Sequence, residues 1–585
     1  MENIEKIRHS LSHIMAQVVL EFWPKTKLGI GPSIENGFYY DFQFSKPLEE
    51  KNLERIEKRM KEIILQNEKF EKEETSKIKA KKIFASQPYK LELISELPGK
   101  TVTIYTNSPS FAKASEGKGF TDLCKGPHIK NTKEINPNSF QITKIAGAYW
   151  RGNEKNKMLT RIYGLAFETP EKLMAYLKMM EEAERRDHRK LGAQLKLFTI
   201  SDLVGAGLPM LQPKGMILRK EIEDYLWDLH KNKGYQRVWT PHITKKSLYE
   251  TSGHAAKFGE EIFKVKGGDE EFFMKPMNCP HHMQIFCDNQ FSYRDMPVRY
   301  FEPATVYRYE KAGQLSGLTR VRAITQDDGH LFCRVSQISE EVSTIVEIIR
   351  AFYTTMNMME GYWVRLSVRG KDKKMYLGSD EVWKKAETAL EKAAKENELN
   401  YKRVEGEAAF YGPKLDFMFK DAIGREWQLA TIQCDFNLPE RFNLSFVNEK
   451  GEAERPVVIH RAISGSLERF MGVMIEHFAG AFPLWLSPIQ VAIIPISEKH
   501  FDYAKKIEKE LQKNNIRIEL KNENETLGKK IRAAEMQKIP YLLIIGDKEI
   551  EAQSVSVRER GKGDLGAIKI DAFVEKVKNE IENKK

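Results

Sequence analysis

Two strand-like runs, VRYFEPATVYRYE (298–310) and LTRVRAITQDDGHLFC (318–333), flank the short loop KAGQLSG (311–317). Aromatic and β-branched residues fill both runs and turn signals join them, so they read as neighbouring antiparallel strands. YQRVWTPHI (235–243), KLDFMFK (414–420), EWQLATIQCDF (426–436) and PVVIH (456–460) share that texture. The middle of the chain is therefore expected to form an antiparallel sheet mixed with long helices. Neither a Walker A sequence nor a GxGxxG after a strand is present, which argues against a P-loop or Rossmann nucleotide site.

The hairpin also concentrates charge. Arg308 and Glu310 precede the loop, Arg320 and Arg322 follow it, and Gln326, Asp327 and Asp328 come next. Arginines so placed can form bidentate bonds to a phosphate or carboxylate at any relevant pH. A solvated sheet face with cross-strand ion pairs is the plainer alternative.

At 585 residues the chain is too long for one core, so three or four domains are expected. Lys+Arg 94 against Asp+Glu 83 gives +11, and 41% of residues are hydrophobic, which excludes a largely disordered chain. The basic excess suits a polyanionic partner but is spread over a large surface. Five cysteines exclude a disulfide scaffold and point to a reducing compartment. The start MENIEKIRHS has no signal or transit character. The most apolar stretch, 479–496, is broken by Pro483, Pro488 and Pro495 and so is no membrane helix. A cytoplasmic protein is expected.

Residues 4–22 carry apolar positions at helical spacing, with His9 and His13 on one face. Strands and turns follow in GIGPSIENGFYYDF, then charged helix over 48–86 and a β-rich stretch to residue 163. Residues 170–194 predict one long charged helix. After Pro488, apolar strands alternate with amphipathic helices, which predicts a small α/β domain with a mainly parallel sheet.

Several segments resemble a known family. The run 301–333 resembles motif 2 of the class II aminoacyl-tRNA synthetases. ISGSLERFMGVMIEH (463–477) resembles motif 3, with Arg469 as its arginine, and 215–243 resembles motif 1, with Pro241 as its proline. MNCPHHM, TQDDGHLFC, FYGPKLDF, WQLATIQCDF and IHRAISGSLERF together resemble the bacterial-type threonyl-tRNA synthetases over almost the whole chain. The resemblance implies an α+β multidomain fold: an editing domain at 1–169, a linker helix at 170–194, an antiparallel-sheet class II catalytic domain at 195–486 and an α/β anticodon-binding domain at 487–585. The ubiquitin-like domain that commonly comes first is not expected, because Met1 falls almost at the first editing helix. The implied reaction joins ATP and threonine into threonyl-adenylate, then transfers threonine to tRNA(Thr). Mg²⁺ would accompany ATP, and motif 1 implies a homodimer. No membrane partner is expected.

Site roles follow from the same resemblance. Arg308 is expected on the ATP α-phosphate and the threonine carboxylate, Glu310 on the adenine amino group, and Arg320 and Arg469 on the phosphates or over the adenine ring. Gln326, Asp328, Tyr411 and Gln433 are expected to line the threonine pocket, with Lys414, Gln428, Thr431 and Ser466 nearby. His254 corresponds to a histidine that assists transfer to the terminal ribose; otherwise a loop histidine is a surface residue. Ile324 departs from the aromatic residue usual there, leaving adenine an aliphatic face and Arg469.

Cys279, His330 and His460 align with the family's zinc ligands, one ion per chain, and three protein ligands leave a fourth position open. Such a site takes the amine and hydroxyl of threonine and so excludes valine. Cys287, Cys333 and Cys434 read as core thiols. His9 and His13 group with Cys124 and His128 from TDLCKGPH; the spacing allows a structural zinc site, while the set resembles the family's editing pocket. HSLSH lacks the glutamate of a zincin. Glu549 and Arg558 match anticodon-reading positions, although an exposed turn with an ion pair explains either one. Two rivals stand beside this reading. A non-catalytic RNA-binding relative would tend to lose Arg308 or Arg469; a paralogue for another amino acid leaves the three zinc-type residues unexplained.

Overall fold

The structure is a computed structural model describing residues 2–108 and 119–585. Met1 and the part of the expected β-rich stretch at 109–118 lie outside them. The chain divides into two compact units, Met1–Glu181 and Glu182–Lys585.

In the first unit, the helix Glu2–Phe22 buries Ile4, Ile7, Leu11, Ile14, Met15 and Val18, the stripe that a 3.6-residue period predicts. Strand Gly37–Gln43 turns Phe38, Tyr40 and Phe42 toward the core at a period of two. Its sheet runs in the order Lys27–Leu28, Gly37–Gln43, Met158–Ala166, Phe140–Tyr149. A Cβ at Gly164 would come within 2.4 Å of the Phe38 ring, so this crossing needs glycine. The expected charged helix over 48–86 is helical only at Asn52–Leu65 and Lys77–Ile83. Between them Lys69–Ser76 is a strand paired antiparallel with Thr101–Ser108, which also pairs with Phe120–Leu123. Backbone pairing places KFEKEETS, whose side chains are nearly all at least partly exposed, and a charge pattern carries no sign of that.

Residues 170–194 form two helices, Pro170–Arg185 and His188–Gln194, not one. Asp187 accepts a hydrogen bond from the Arg189 amide at 2.8 Å and so caps the second helix where a continuous one would have run on.

The second unit is built on an eight-stranded sheet in the order Tyr235–Arg237, Val298–Tyr307, Ala323–Cys333, Val457–Ser466, Glu426–Asp435, Lys414–Lys420, Trp363–Val368, Tyr401–Glu405. Only the two outermost pairings are parallel. Helix Ile338–Thr355 buries Val342, Ile345, Val346, Ile349 and Phe352 in the same core as Phe417, Ile459 and Phe470. Cys333 and Cys434 are buried as expected, but Cys287, at the end of Cys279–Cys287, is exposed and is no core thiol.

The last sheet runs Ile518–Leu520, Val491–Pro495, Tyr541–Ile545, Ser554–Glu559, Gly563–Lys569. Its first two pairings are parallel and its last two antiparallel, so it is mixed rather than mainly parallel. The short turn after Ser554–Glu559 leaves no room for a crossover helix and makes a hairpin. Arg517 ties this domain to the helix Pro213–Lys231 through Glu221, at 2.6 Å.

Candidate active site

Gln326, Asp328 and His330 alternate along Ala323–Cys333 and share one face. The register sets His330 opposite His460, and His460 opposite Gln433. Asp327 points the other way and accepts the amides of Ile463, Ser464 and Gly465 at 2.9 to 3.1 Å. Those bonds hold a register shift that pairs Gln326 with Ser466 but Asp328 with Ala462. The chain leaves this irregularity into helix Leu467–His477, where the Ser466 hydroxyl accepts from the Arg469 amide at 3.2 Å.

The result is a cavity of about 720 Å³. Arg308, Glu310, Arg320, Ile324, Gln326, Asp328 and His330 line it from the hairpin side. Gln428, Thr431, Gln433, His460 and Ser466 line it from the other strands, Tyr411 from a turn and Arg469 from the helix Leu467–His477. Lys414 does not line it; its amine pairs with the buried Asp416 at 3.0 Å. Trp427, which the sequence did not mark, does line it, and the Arg469 guanidinium lies 5.7 Å over its ring. The cavity that Ile324 lines thus has an aromatic side chain after all, contributed by another strand.

The charges are poorly neutralised. Arg320 pairs with Glu310 at 2.8 Å. The buried Nε of Arg469 has no hydrogen-bond partner, and burial followed by the neighbouring Arg320 charge pulls its pKa down. Arg308 donates to the Pro276 carbonyl at 3.1 Å, and burial lowers its pKa as well. Three guanidinium groups around one cavity, two with no carboxylate partner, form a site for an anion with several charges.

At the inner end, ligand atoms of Cys279, His330 and His460 all lie within 4.8 Å of one another, and all three residues are buried. Asp435 bonds His460 Nε2 at 2.9 Å and His282 bonds His330 Nδ1 at 2.8 Å. His282 in turn meets Glu302 at 3.0 Å. Burial pushes the Glu302 carboxyl up, but His282, the Lys275 charge and Asn278 outweigh it and hold it at about 2. Asp435, His282 and Glu302 were not singled out from the sequence, although MNCPHHM contains one of them. Tyr411 donates to Gln433 at 2.6 Å beside this group. His254 is fully buried rather than exposed, with Nδ1 2.8 Å from the Ser252 hydroxyl and Nε2 3.6 Å from the Cys279 sulfur. Burial, then His460 and Arg308, drive its pKa down to about 3.

In the first unit the second cluster also assembles. Cys124 Sγ lies 3.2 Å from His9 Nε2 and 3.3 Å from His128 Nε2. His13 Nε2 is 3.7 Å from the buried Asp122, which also takes Lys90 at 2.5 Å and the Tyr40 hydroxyl at 2.6 Å. Burial lowers the pKa of His9, His13 and His128 and pushes the Cys124 thiol up to about 11. Cys124, His9 and His128 keep partial exposure. Gly126 is required here: its φ is +70°, and a Cβ would lie 2.3 Å from the Tyr105 hydroxyl. Lys90, Asp122 and Tyr40 escaped the sequence reading because nothing in their spacing links them.

In the last domain Glu549 accepts the Gly546 amide at 2.9 Å and so caps its own short helix, Asp547–Glu551. Arg558 lies on the adjacent strand, opposite Leu542.

An antiparallel sheet carrying arginines on a long hairpin and on the helix after its central strand defines a class II aminoacyl-tRNA synthetase, and residues 263–478 match the tRNA synthetase class II core domain (G, H, P, S and T). Residues 490–580 match an anticodon binding domain, and 102–163 match the threonyl and alanyl tRNA synthetase second additional domain. The chain is 48% identical to a threonine–tRNA ligase of Porphyromonas gingivalis over 98% of its own length and 87% of that protein. It is 47% identical to one of Thermotoga maritima, over 99% and 89%. The solved RNA binding domain of threonyl-tRNA synthetase from Cryptosporidium parvum superimposes with a TM-score of 0.65 at 37% identity, covering 67% of this chain and 98% of that one. The chain belongs to the threonine–tRNA ligase family, enzymes that join threonine to tRNA, and carries its second additional domain.

Proposed function

We propose that the cavity activates threonine with ATP and that the Cys279–His330–His460 group selects the amino acid. The observation that carries this is the placement of three metal-type ligands at the inner end of an arginine-lined cavity. Threonine's carboxylate attacks the α-phosphorus and pyrophosphate leaves. Arg308 and Arg469 offset the charge that builds on the phosphoryl oxygens, with Mg²⁺ accompanying ATP. Glu310 takes the adenine amino group and Arg320 the phosphates; their ion pair keeps both at one rim. Gln326, Asp328, Tyr411 and Gln433 surround threonine, with Asp328 accepting from its hydroxyl. Gln428, Thr431 and Ser466 serve ATP and amino acid. The ribose hydroxyl of tRNA(Thr) then displaces AMP, with His254, kept neutral by burial, as a nearby acceptor.

The triad fits zinc: it joins a thiol and two imidazoles, both imidazoles oriented by outer hydrogen bonds. When bound, the ion would supply a Lewis acid able to take both the amine and the hydroxyl of threonine, and valine has no hydroxyl to offer. Apolar packing alone separates such isosteres poorly, by about a hundredfold.

In the first unit we infer that His9, His13, Cys124 and His128 surround a site where mischarged Ser-tRNA(Thr) is hydrolysed. The partial exposure of three of the four supports an accessible pocket over a closed structural zinc site. Domains of 1–169, 170–194, 195–486 and 487–585 accommodate the three family matches. We assign Glu549 and Arg558 to reading the anticodon, within the segment that matches an anticodon binding domain. A homodimer is supported by Leu203, Met216, Trp239 and Ile243, which leave apolar surface exposed on and around the motif 1 segment. Unpaired cysteines suit the cytoplasm, and among the described residues no helix is long and apolar enough to cross a membrane.

Metal analysis tests the reading. One zinc per chain is expected, with Cys279→Ser losing both the ion and discrimination against valine. A Cys279→Ser enzyme that still rejects valine would overturn it.

A further inference from the structure

His188 opens the helix His188–Gln194 and is buried. Its Nδ1 lies 2.6 Å from a Glu476 carboxylate oxygen, and its Nε2 lies 3.0 Å from the Leu318 backbone nitrogen. A backbone amide only donates, so Nε2 must accept, and the ring proton sits on Nδ1 where the carboxylate takes it. Glu476 also accepts the His188 amide at 3.1 Å and pairs with Arg425. Both ring nitrogens are thereby committed, and the Asp187–His188–Glu476 grouping has no nitrogen left for a metal.

Leu318 belongs to the hairpin loop. It is fully buried, and its neighbour Gly317 has φ +48° with no room for a Cβ, which would fall 2.1 Å from His188 Nε2. The same loop presents Gln314, Ser316, Thr319 and Arg320 to the cavity. One part of the loop is therefore fastened to His188 while the flanking residues face the ligand space.

We propose that His188 is a positioning residue for ATP: by holding the Leu318 amide it fixes the loop that carries Arg320, and so sets ATP affinity without touching ATP. This rests on the reading of the cavity as the ATP site. It also makes the Glu476–Arg425 pair part of the same support, since Glu476 fixes the tautomer that leaves Nε2 free to accept.

Two substitutions separate the two bonds. Asparagine places an amide where Nδ1 stood and keeps the bond to Glu476, but cannot reach Leu318. Glutamine places an acceptor near Nε2 and keeps the loop bond. In steady-state pyrophosphate exchange, His188→Asn is expected to raise the KM for ATP about tenfold, the loss of one buried hydrogen bond, with the KM for threonine unchanged. His188→Gln should restore most of the ATP KM. Because His188 acts through Arg320, the double variant His188→Asn with Arg320→Ala should be little worse than Arg320→Ala alone. A folded His188→Asn enzyme with the wild-type KM for ATP overturns the proposal. So does a parallel rise of both KM values with a lowered Tm in both variants, which marks a merely structural residue. Arg320→Ala measured alone tells the two failures apart: a normal ATP KM there faults the assignment of Arg320, and a raised one beside a silent His188→Asn faults the latch.

Discussion

Arg469→Met should separate stability from catalysis. The Arg469 guanidinium faces Arg320 rather than a carboxylate, its buried Nε has no partner, and it lies 5.7 Å over the Trp427 ring. Burying a charge without a partner is costly, and replacing it with an apolar chain of similar reach is neutral to favourable by about 1–4 kcal/mol. The lost cation–π contact returns about 0.5–1 kcal/mol of that. The free protein should therefore melt at the wild-type temperature or a few degrees higher, roughly 0–4 °C. Catalysis should move the other way. A guanidinium about 4 Å from a phosphate at an effective dielectric of about 20 gains about 4 kcal/mol, equivalent to roughly a thousandfold in rate. Threonine-dependent pyrophosphate exchange and thermal melting on one preparation measure both. Exchange within about threefold of wild type, or a Tm lowered by more than about 5 °C, would refute the claim that this arginine is held unpaired for the substrate's phosphates.

The first unit carries its own test: wild-type enzyme should deacylate pre-formed Ser-tRNA and spare Thr-tRNA, and His13→Ala with Cys124→Ala should abolish that clearance. Equal clearance by the double variant would mean the cluster is structural. Acid should destabilise the fold early. His13, His128 and His230 are held neutral by burial, so their folded pKa values lie below the unfolded value. Stability from these groups is complete above about pH 6.5 and falls with pH below it, as the unfolded chain takes up protons at about 1.4 kcal/mol per group per pH unit. A Tm that stays level from pH 7 to 5 would contradict this.

The hairpin 298–333 was legible because alternation, turn chemistry and length all agreed, and the register then set Gln326, Asp328 and His330 on one face. Arg308, Arg320 and Arg469 and the group Cys279, His330 and His460 were legible through the resemblance, and the fold gathers the arginines around one cavity and the other three around one point, whereas Lys414 is drawn off to Asp416. What escaped depends on contacts distant in sequence. His188 meets Leu318 and Glu476, 130 and 288 residues away, and Lys90, on the helix Pro88–Glu96, meets Asp122 on the strand Phe120–Leu123. Trp427 reaches the cavity only because its strand is the second neighbour of Ala323–Cys333, an order no local pattern encodes. KFEKEETS was misread as helix since its charges mask a strand held by backbone pairing, and the last sheet was misread as mainly parallel because a short hairpin follows a βαβ pattern. Cys287 was misplaced because its helix turns that position outward.

The most direct measurement is pyrophosphate exchange by the full chain with each of the twenty amino acids in turn. Threonine should drive it fastest, serine more weakly because it keeps the amine and hydroxyl but lacks a methyl, and valine hardly at all. Exchange driven best by another amino acid, or valine rivalling serine, would contradict the assignment of Cys279, His330, His460 and the cavity beside them.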